Sequence, residues 1–337
     1  MKAFALKRYS KSNGVDEVDV AVPQLRDGDV LVQVCAASVN PLDLKIRNGD
    51  LKSLFPYKLP LILGNDLAGV VVQTGPNAQR FKPGDEVYAK PSQDRIGTFA
   101  EYIAINESDV ALKPERLTME EASSLPLVAL TAWQALVDTA GLRAGQKVLI
   151  HAGSGGLGTA AIQLAKHLGA TVATTTSTKN IDWVQGLGAD IVIDYKTQDF
   201  TAVLHDYDVV LDTQGGDTLE KSFLVAKRGG KVISVAGPPE PAFARDFGVN
   251  WVLIQAIRVL SLRVRRKAKR HGVTYSFLFM KASGDQLREI RALVDSGVIR
   301  PVIDRVFPFE STLDALAYVG NGRAKGKVIV SMAMPAR

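Results

Sequence analysis

The sequence is poor in the residues that build covalent or metal-held scaffolds. Among 337 residues it has one cysteine, Cys35, and four histidines without metal-ligand spacing. A disulfide within the chain and a structural zinc site made of cysteines are therefore excluded. No uninterrupted apolar run reaches the roughly 18 residues of a membrane span, and the first residues do not resemble a secretory signal peptide. We expect a cytoplasmic protein.

The length and net charge of the chain give only broad limits on the number of domains and the kind of ligand. A chain of 337 residues is too long for one core, so two domains are expected, one of which can be split in sequence. The formal net charge of +6 permits anionic ligands but does not by itself indicate nucleic-acid binding.

The most informative stretch joins an apolar run to a glycine-rich turn and then to a helical pattern. It reads Val148-Leu-Ile-His-Ala-Gly-Ser-Gly-Gly-Leu-Gly-Thr-Ala-Ala-Ile-Gln-Leu-Ala-Lys166. Glycines let the backbone approach a ligand closely, and the unpaired N–H groups at a helix start favour an anion. A dinucleotide pyrophosphate is the natural candidate, although a glycine-rich turn alone is a weak signal.

The chain changes its period after the first third. Residues 1–122 are strand-rich, with strands predicted at 30–36, 69–75 and 85–89, which favours an antiparallel barrel or sandwich. The capping box at 118–121 predicts the start of a helix. Residues 123–262 then alternate strands and helices, which predicts βαβ units and a parallel sheet. The expected strands are 147–151, 171–175, 191–193, 208–212 and 231–235.

The last part of the chain begins with a basic run at 263–271, which is most simply a solvated connection. A strand is predicted at 275–280 and an amphipathic helix at 285–296. A second helix near 311–320 precedes a terminal strand at 326–331.

At this point the sequence resembles the medium-chain dehydrogenase/reductase superfamily, in particular its zinc-independent NADPH:quinone and enone oxidoreductases. The stretch 145–166 fits the quinone oxidoreductase pattern at every defined position. Further similar blocks are Asn40-Pro-Leu-Asp-Leu-Lys45, Gly64-Asn-Asp-Leu-Ala-Gly69, Gly84-Asp-Glu-Val87, Gly97-Thr-Phe-Ala-Glu-Tyr102 and Thr131-Ala-Trp-Gln-Ala-Leu136.

The resemblance implies an α/β protein with two domains. A GroES-like β-barrel catalytic domain would combine residues 1–122 and 263–337, and a Rossmann NADP-binding domain with a doubly wound parallel sheet would span 123–262. It also implies a homodimer formed through the edge strand 275–280, since an exposed apolar edge is otherwise a liability.

A catalytic zinc is not expected. Asn40 stands where zinc-dependent relatives carry their first cysteine, and the block Gly64-Asn65-Asp66 lacks their histidine. Two amides and one carboxylate are a poor donor set for zinc.

NADPH is the expected cofactor. The second Rossmann strand is followed by Ser177-Thr-Lys179 and has no acid at its end, where an NAD enzyme holds the ribose 2′-hydroxyl. A hydroxyl and an ammonium suit a 2′-phosphate, although a solvated polar loop would also explain Ser177. By resemblance, Tyr195 also contacts this phosphate. The further cofactor contacts that the pattern and the resemblance imply are Asn40, Thr131, Ser154, Gly155, Gly156, Leu157, Gly158, Thr176, Gly237, Asn321, Lys325 and Lys327.

Hydride transfer to an enone or a quinone leaves negative charge on an oxygen, which needs a cation or a hydrogen-bond donor nearby. By resemblance Lys45 is the first candidate, although a surface lysine on a short helix is the simpler interpretation. Asn40 offers an amide, and Tyr57 offers a hydroxyl and an aromatic face.

These observations predict NADPH-dependent, zinc-independent reduction of quinones or α,β-unsaturated carbonyls. An atypical alcohol dehydrogenase is the alternative enzyme. An alternative of another class is a protein that retains NADPH and binds nucleic acid or a membrane surface through 263–271. The absence of aromatic residues in that run argues against single-stranded nucleic acid, and no nucleic-acid partner is expected.

Overall fold

The computed structural model describes residues 1–332 apart from 247 and 249. The strands are β1 (Lys2–Leu6), β2 (Val15–Asp19), β3 (Asp29–Val39), β4 (Leu61–Ile62), β5 (Asp66–Thr74), β6 (Glu86–Ala89), β7 (Tyr102–Asn106), β8 (Val110–Leu112), β9 (Lys147–Ile150), β10 (Thr171–Thr176), β11 (Ile191–Asp194), β12 (Tyr207–Asp212), β13 (Ala226–Ser234), β14 (Thr274–Phe277), β15 (Ile303–Pro308) and β16 (Lys327–Ser331). The helices are α1 (Pro41–Asn48), α2 (Met119–Ser123), α3 (Pro126–Trp133), α4 (Gly156–His167), α5 (Ile181–Gly186), α6 (Phe200–Val203), α7 (Gly216–Val225), α8 (Pro241–Asp246), α9 (Trp251–Leu260), α10 (Leu262–His271), α11 (Gly284–Asp295) and α12 (Thr312–Gly320).

The chain forms two compact units. Unit 1 combines Met1–Leu130 with the described residues from Lys281 onward, and unit 2 is Thr131–Met280. The sequence placed the domain boundaries at 122/123 and 262/263. The units divide after Leu130 and after Met280. Helix α10 packs against α7 and β14 pairs with β13, so both elements complete unit 2.

Unit 1 contains a three-stranded sheet, in the order β2-β1-β4, and a seven-stranded sheet. In the larger sheet β16 pairs antiparallel with β3, so strands from both ends of the chain share one sheet. Its pairings are antiparallel except for the parallel pair of β15 and β16. One apolar core, which includes Phe4, Leu67 and Val330, packs between these elements. The expected capping box is confirmed, because Thr118 Oγ1 accepts from the N–H of Glu121 at the start of α2.

Unit 2 is built on a parallel six-stranded sheet in the order β11-β10-β9-β12-β13-β14. Numbered within the unit, this is the order 3-2-1-4-5-6 of a dinucleotide-binding fold, which reverses between β9 and β12. The predicted α/β architecture, with a Rossmann-type parallel sheet in one unit and antiparallel sheets in the other, is confirmed.

Two predictions for the segment after residue 262 differ from the structure. Residues Leu262–His271, predicted as a solvated connection, form the helix α10, because Val264 and Ala268 recur at helical spacing and are buried. The predicted strand 275–280 ends at Phe277, where the pairing with β13 stops.

Within the described residues, we find no helix that is both long enough and apolar enough to span a membrane.

Candidate active site

The glycine turn of unit 2 connects β9 to α4 and is too tight for side chains at two of its positions. A Cβ at Gly153 would lie 2.2 Å from Thr174 Oγ1, and one at Gly158 would lie 2.3 Å from the carbonyl oxygen of Ala152. Ala152 itself has a left-handed φ of 54°. By contrast, a Cβ at Gly155 would meet nothing closer than 3.4 Å. The missing side chain of Gly155 therefore keeps the face of the turn open rather than relieving an internal clash.

The helix α4 begins at Gly156, with Gly155 as its N-cap. Its first N–H groups have no partner within the helix and lie at the positive end of the helix dipole. The turn can therefore receive an anion from Ser154 to Gly158, as the sequence predicts for a pyrophosphate.

His151 lies directly after β9, at the start of the glycine turn. It is buried, with Nε2 3.0 Å from Ser222 Oγ and Nδ1 3.2 Å from Thr175 Oγ1. Since Ser222 donates to the Thr218 carbonyl, its oxygen accepts from His151 Nε2–H. Burial lowers the pKa of His151 from 6.5 to about 4. The histidine is thus an uncharged part of the unit 2 framework.

The end of β10 carries the polar residues that were predicted to select the ribose. Thr176 is buried, and among the described residues its hydroxyl has no hydrogen-bond partner. Ser177 is also buried, whereas Lys179 and Tyr195 are exposed. A buried hydroxyl without a partner beside an exposed ammonium fits a ligand that supplies acceptor oxygens.

A carboxylate that sequence reasoning missed lies one strand away. Asp194 ends β11, opposite Thr176 in the parallel register. Its Oδ2 accepts from the Thr178 hydroxyl at 2.6 Å and its Oδ1 from the N–H of Lys196 at 3.0 Å. Asp194 is therefore held by the segments that follow β10 and β11, and its charge is part of the environment of Thr176.

Gly237 follows β13 and is also required by packing. A Cβ there would lie 2.6 Å from both Leu219 Cδ2 and the Tyr275 hydroxyl oxygen. Its N–H donates to Ser234 Oγ at 2.7 Å. This close packing holds the backbone after β13 in place.

In unit 1, the predicted residue Asn40 belongs to a buried polar cluster around the start of α1. Its backbone N–H donates to Asp43 Oδ2 at 2.7 Å, and its side-chain Nδ2 donates to Asp66 Oδ2 at 2.8 Å. Asn65 Nδ2 donates to Asp43 Oδ1 at 2.7 Å. We call Asn40, Asp43, Asn65, Asp66 and Lys327 the polar cluster; each is less than a tenth exposed.

The cluster is closed by a cation from the other end of the chain. Lys327 Nζ donates to Asn40 Oδ1 and lies 3.0 Å from Asp66 Oδ2. Lys327 is only 5% exposed, so its ammonium is buried with the cluster. Asp66 is the centre of the cluster, since it also accepts from Ser38 Oγ at 2.6 Å and from the Leu127 N–H at 2.7 Å.

Asp43 is a buried carboxyl of the cluster, and its burial disfavours ionisation. Burial raises its pKa from 3.8 to about 6, against the hydrogen bonds from Asn65 and Asn40, which lower it. Asn65 Oδ1 is buried and has no partner among the described residues.

Tyr57 is linked to a buried lysine. Its hydroxyl donates to the Gln93 carbonyl at 3.0 Å and accepts from Gln93 Nε2. Lys90 Nζ donates to Gln93 Oε1 at 3.2 Å, and burial lowers the pKa of Lys90 to about 8. The Tyr57 proton is therefore already shared with a carbonyl, and Lys90 is a nearby titratable group that the sequence analysis overlooked.

The remaining predicted residues differ in exposure. Thr131 is buried, whereas the side chains of Lys45, Asn321 and Lys325 are exposed. Lys45 lies on α1, the helix that Asn40 caps.

The donors at the expected metal position do not suit zinc. The oxygens of Asp66 already accept from Lys327, Ser38, Asn40 and Leu127, so an ammonium occupies the place of a metal cation. In the part of the chain that the structure describes, no group of three His, Cys, Asp or Glu residues is arranged to hold a metal.

Comparison with known proteins agrees with this geometry. The family model of the alcohol dehydrogenase GroES-like domain matches residues 26–115, and that of the zinc-binding dehydrogenase domain matches residues 187–330. The chain is 36% identical to the 2-methylene-furan-3-one reductase of Solanum lycopersicum, over 98% of this chain and 79% of that protein. It is equally similar, at 36% and the same coverage, to the chloroplastic NADPH-dependent alkenal/one oxidoreductase of Arabidopsis thaliana. Among solved structures, the quinone oxidoreductase of Coxiella burnetii matches with a TM-score of 0.86 and 32% identity, over 99% of both chains.

Proposed function

Because the chain belongs to the quinone and enone oxidoreductases of the medium-chain dehydrogenase/reductase superfamily, we propose that it reduces quinones or α,β-unsaturated carbonyls with NADPH and without zinc. The observation that favours this activity over that of a zinc-dependent alcohol dehydrogenase is the contact of Lys327 with Asn40 and Asp66. A buried ammonium that a carboxylate already neutralises leaves no role for a second cation there.

Unit 2 supplies the residues that would hold the cofactor, and the relative from Arabidopsis thaliana is itself named as NADPH-dependent. The backbone from Ser154 to Gly158 would hold the pyrophosphate. Thr176, Ser177, Lys179 and Tyr195 would bind the ribose 2′-phosphate, which an ammonium and hydroxyls suit better than a carboxylate does. When bound, NADPH supplies the hydride.

The other roles concern the acceptor and the nicotinamide half of the cofactor. Lys45 carries an exposed ammonium, and we assign it the stabilisation of the product oxygen, an enolate or a phenolate. Asn40 is held by Asp66 and Lys327 and would act as a fixed amide. Tyr57 would contribute its aromatic face, because its proton is donated to Gln93. The cofactor contacts that we propose in addition are Thr131, Gly237, Asn321, Lys325 and Lys327.

We test this function by following NADPH oxidation with quinones, enones, enals and aldehydes, with and without a chelator. Activity on quinones or enones that the chelator leaves unchanged is expected. Activity on simple alcohols that the chelator abolishes would overturn the proposal. Lys45→Met should lower kcat/KM about 10- to 1000-fold if it removes one oxyanion donor, and Lys52→Met, at another exposed lysine of unit 1, is the control.

Cofactor choice has its own test. Lys179→Glu should lower the ratio of NADPH to NADH efficiency by at least about tenfold, because a carboxylate replaces the phosphate partner. Lys196→Glu makes the same charge change at an exposed lysine that is not assigned to the phosphate. An unchanged ratio in Lys179→Glu would place the phosphate elsewhere.

We also propose a cytoplasmic homodimer that pairs through β14. The support is that β14 is an outer strand of the unit 2 sheet and has β13 as its neighbour on one side only. Light scattering at micromolar concentration should give a dimer, and a monomer would contradict this part of the proposal.

A further inference from the structure

Helices α9 and α10 form one nearly continuous helical segment of unit 2. Ser261 joins them in a right-handed helical conformation, with φ of −86° and ψ of −3°. Its N–H donates to the Ile257 carbonyl and its carbonyl accepts from the Arg265 N–H, both at 3.0 Å. The regular helix is nevertheless interrupted at Ser261, and the Arg258 carbonyl accepts from the Arg265 guanidinium at 3.1 Å.

This segment buries a single stripe. Ile257, Ser261, Val264 and Ala268 are less than a tenth exposed and follow one another at spacings of four, three and four residues. Such spacing places them on one side of a helix. Each helix therefore buries one side and exposes the other to solvent.

The exposed side of α9 is mostly apolar, with Gln255 and Arg258 as its polar members. Val252 and Val259 are 59% and 71% exposed, and Trp251 and Leu260 beside them are 73% and 69% exposed. Large apolar side chains on a solvent face are informative when they are contiguous, because burying them elsewhere would be favourable. A tryptophan among them suits the boundary between water and lipid.

The exposed side of α10 is basic. Arg263, Arg266 and Arg270 lie on the side opposite Val264 and Ala268, and all three are exposed. From Trp251 to His271 the sequence has seven Arg or Lys and no Asp or Glu. Glu220 of α7 pairs with Arg263 and Lys267. These cations, with Arg266, Arg270 and His271, line a shallow recess of about 480 Å³.

We propose that this face of α9 and α10, which we call the apolar–basic face, docks the protein on an anionic lipid surface. An amphipathic helix with Trp and Leu beside Arg and Lys binds where acyl chains meet negative headgroups. A second copy of the chain is a poorer occupant, because the same face would bring arginines against arginines or against apolar residues. This face would place the protein on a membrane, and it takes no part in reduction of the acceptor.

The test is flotation of the full-length protein with vesicles. Wild type should float with vesicles of phosphatidylcholine and phosphatidylglycerol, should release on addition of salt, and should not float with phosphatidylcholine alone. The basic variant, Arg266→Gln with Arg270→Gln, should lower vesicle affinity about 25-fold, since each cation near such a surface contributes roughly fivefold. The apolar variant, Val252→Ser with Val259→Ser and Leu260→Ser, should lower it at least about tenfold.

Matched controls change the same chemistry elsewhere on the surface. Lys52→Gln with Arg116→Gln removes two exposed cations, and Val203→Ser with Val306→Ser removes two exposed valines. Both should float like wild type. Unchanged NADPH oxidation with a water-soluble quinone and an unchanged circular dichroism spectrum show that each variant is folded.

Several results would overturn the proposal. The proposal of a lipid surface would be wrong if the wild-type protein did not float with anionic vesicles. It would also be wrong if the basic and apolar variants floated as well as wild type. Retention on immobilised polyglutamate without vesicle binding would indicate an acidic protein partner instead. Self-association in the absence of vesicles that the apolar variant abolishes would indicate a second copy of the chain.

Discussion

The glycine turn of unit 2 and the polar cluster of unit 1 place polar groups in buried surroundings by different means. The turn uses consecutive backbone groups, with Gly153 and Gly158 admitting contacts that a side chain would block. The cluster uses side chains from distant parts of the sequence, including Lys327 and Asp66, and it contains opposite charges. The turn therefore depends on backbone shape, whereas the cluster depends on charge balance. Substitutions that break one dependence should leave the other intact.

The largest effect should come from removing the charge balance of the cluster. Asp66→Asn leaves the Lys327 ammonium buried without its carboxylate, which typically costs about 3–5 kcal/mol of unfolding free energy. Adding Lys327→Met to Asp66→Asn should recover much of that loss, because the uncompensated charge is gone. Chemical denaturation of wild type and the variants measures these differences. If the single and double variants lose the same amount, charge pairing is not what stabilises the cluster.

The local parts of the molecule were predictable from sequence, and the cluster was not. The strand before Gly153, the helix after it and the capping box at Thr118 are confirmed, because periodicity and capping depend on neighbours along the chain. Asp66 and Lys327 meet across 261 positions. No local pattern records such a contact, and their roles emerge only when β16 pairs with β3. Family resemblance placed Asn40 and Asp66 at the expected metal position and indicated Lys327 separately, but it did not indicate the ion pair that joins Lys327 to Asp66.

The two regions should also respond to acid in opposite directions. The pKa of His151 in unit 2 is lowered from 6.5 to about 4. Its contribution to the free energy of unfolding is therefore complete above pH 6.5 and is lost as the pH falls towards 4. The pKa of Asp43 in unit 1 is raised from 3.8 to about 6. Its contribution to the free energy of unfolding is therefore complete below pH 3.8 and is lost as the pH rises through 6.

The variant His151→Gln separates these two contributions. Between pH 6.5 and 4 it should lose less stability than wild type does, by about 3 kcal/mol, since one pKa unit corresponds to roughly 1.4 kcal/mol. Denaturation curves across this pH range give the slope, and His205→Gln at an exposed histidine is the control. Parallel slopes for wild type and His151→Gln would mean that His151 is not held neutral by the fold.

A smaller effect should distinguish the two kinds of glycine in the turn. Gly158→Ala places a Cβ 2.3 Å from the Ala152 carbonyl oxygen and should cost about 2 kcal/mol of stability, the usual range for overpacking. Gly155→Ala meets nothing closer than 3.4 Å and should leave stability unchanged while weakening NADPH binding. Denaturation without nucleotide, followed by fluorescence titration with NADPH, measures both quantities. Equal stability losses would show that the turn does not separate packing from ligand access.

The smallest expected effect concerns the buried hydroxyl at the end of β10. Thr176→Val keeps the shape of the side chain and removes a hydroxyl that has no partner among the described residues. Removing such a group should raise the stability of the nucleotide-free protein by about 1 kcal/mol. The same substitution should weaken NADPH binding, if the hydroxyl donates to the ligand as proposed, while binding of NADH changes less. Thr175→Val is the contrasting variant, because the Thr175 hydroxyl accepts from the Ala152 N–H and contacts His151, so its loss should destabilise the protein. Destabilisation by Thr176→Val would assign that hydroxyl to the internal framework, like Thr175, instead of to the ligand.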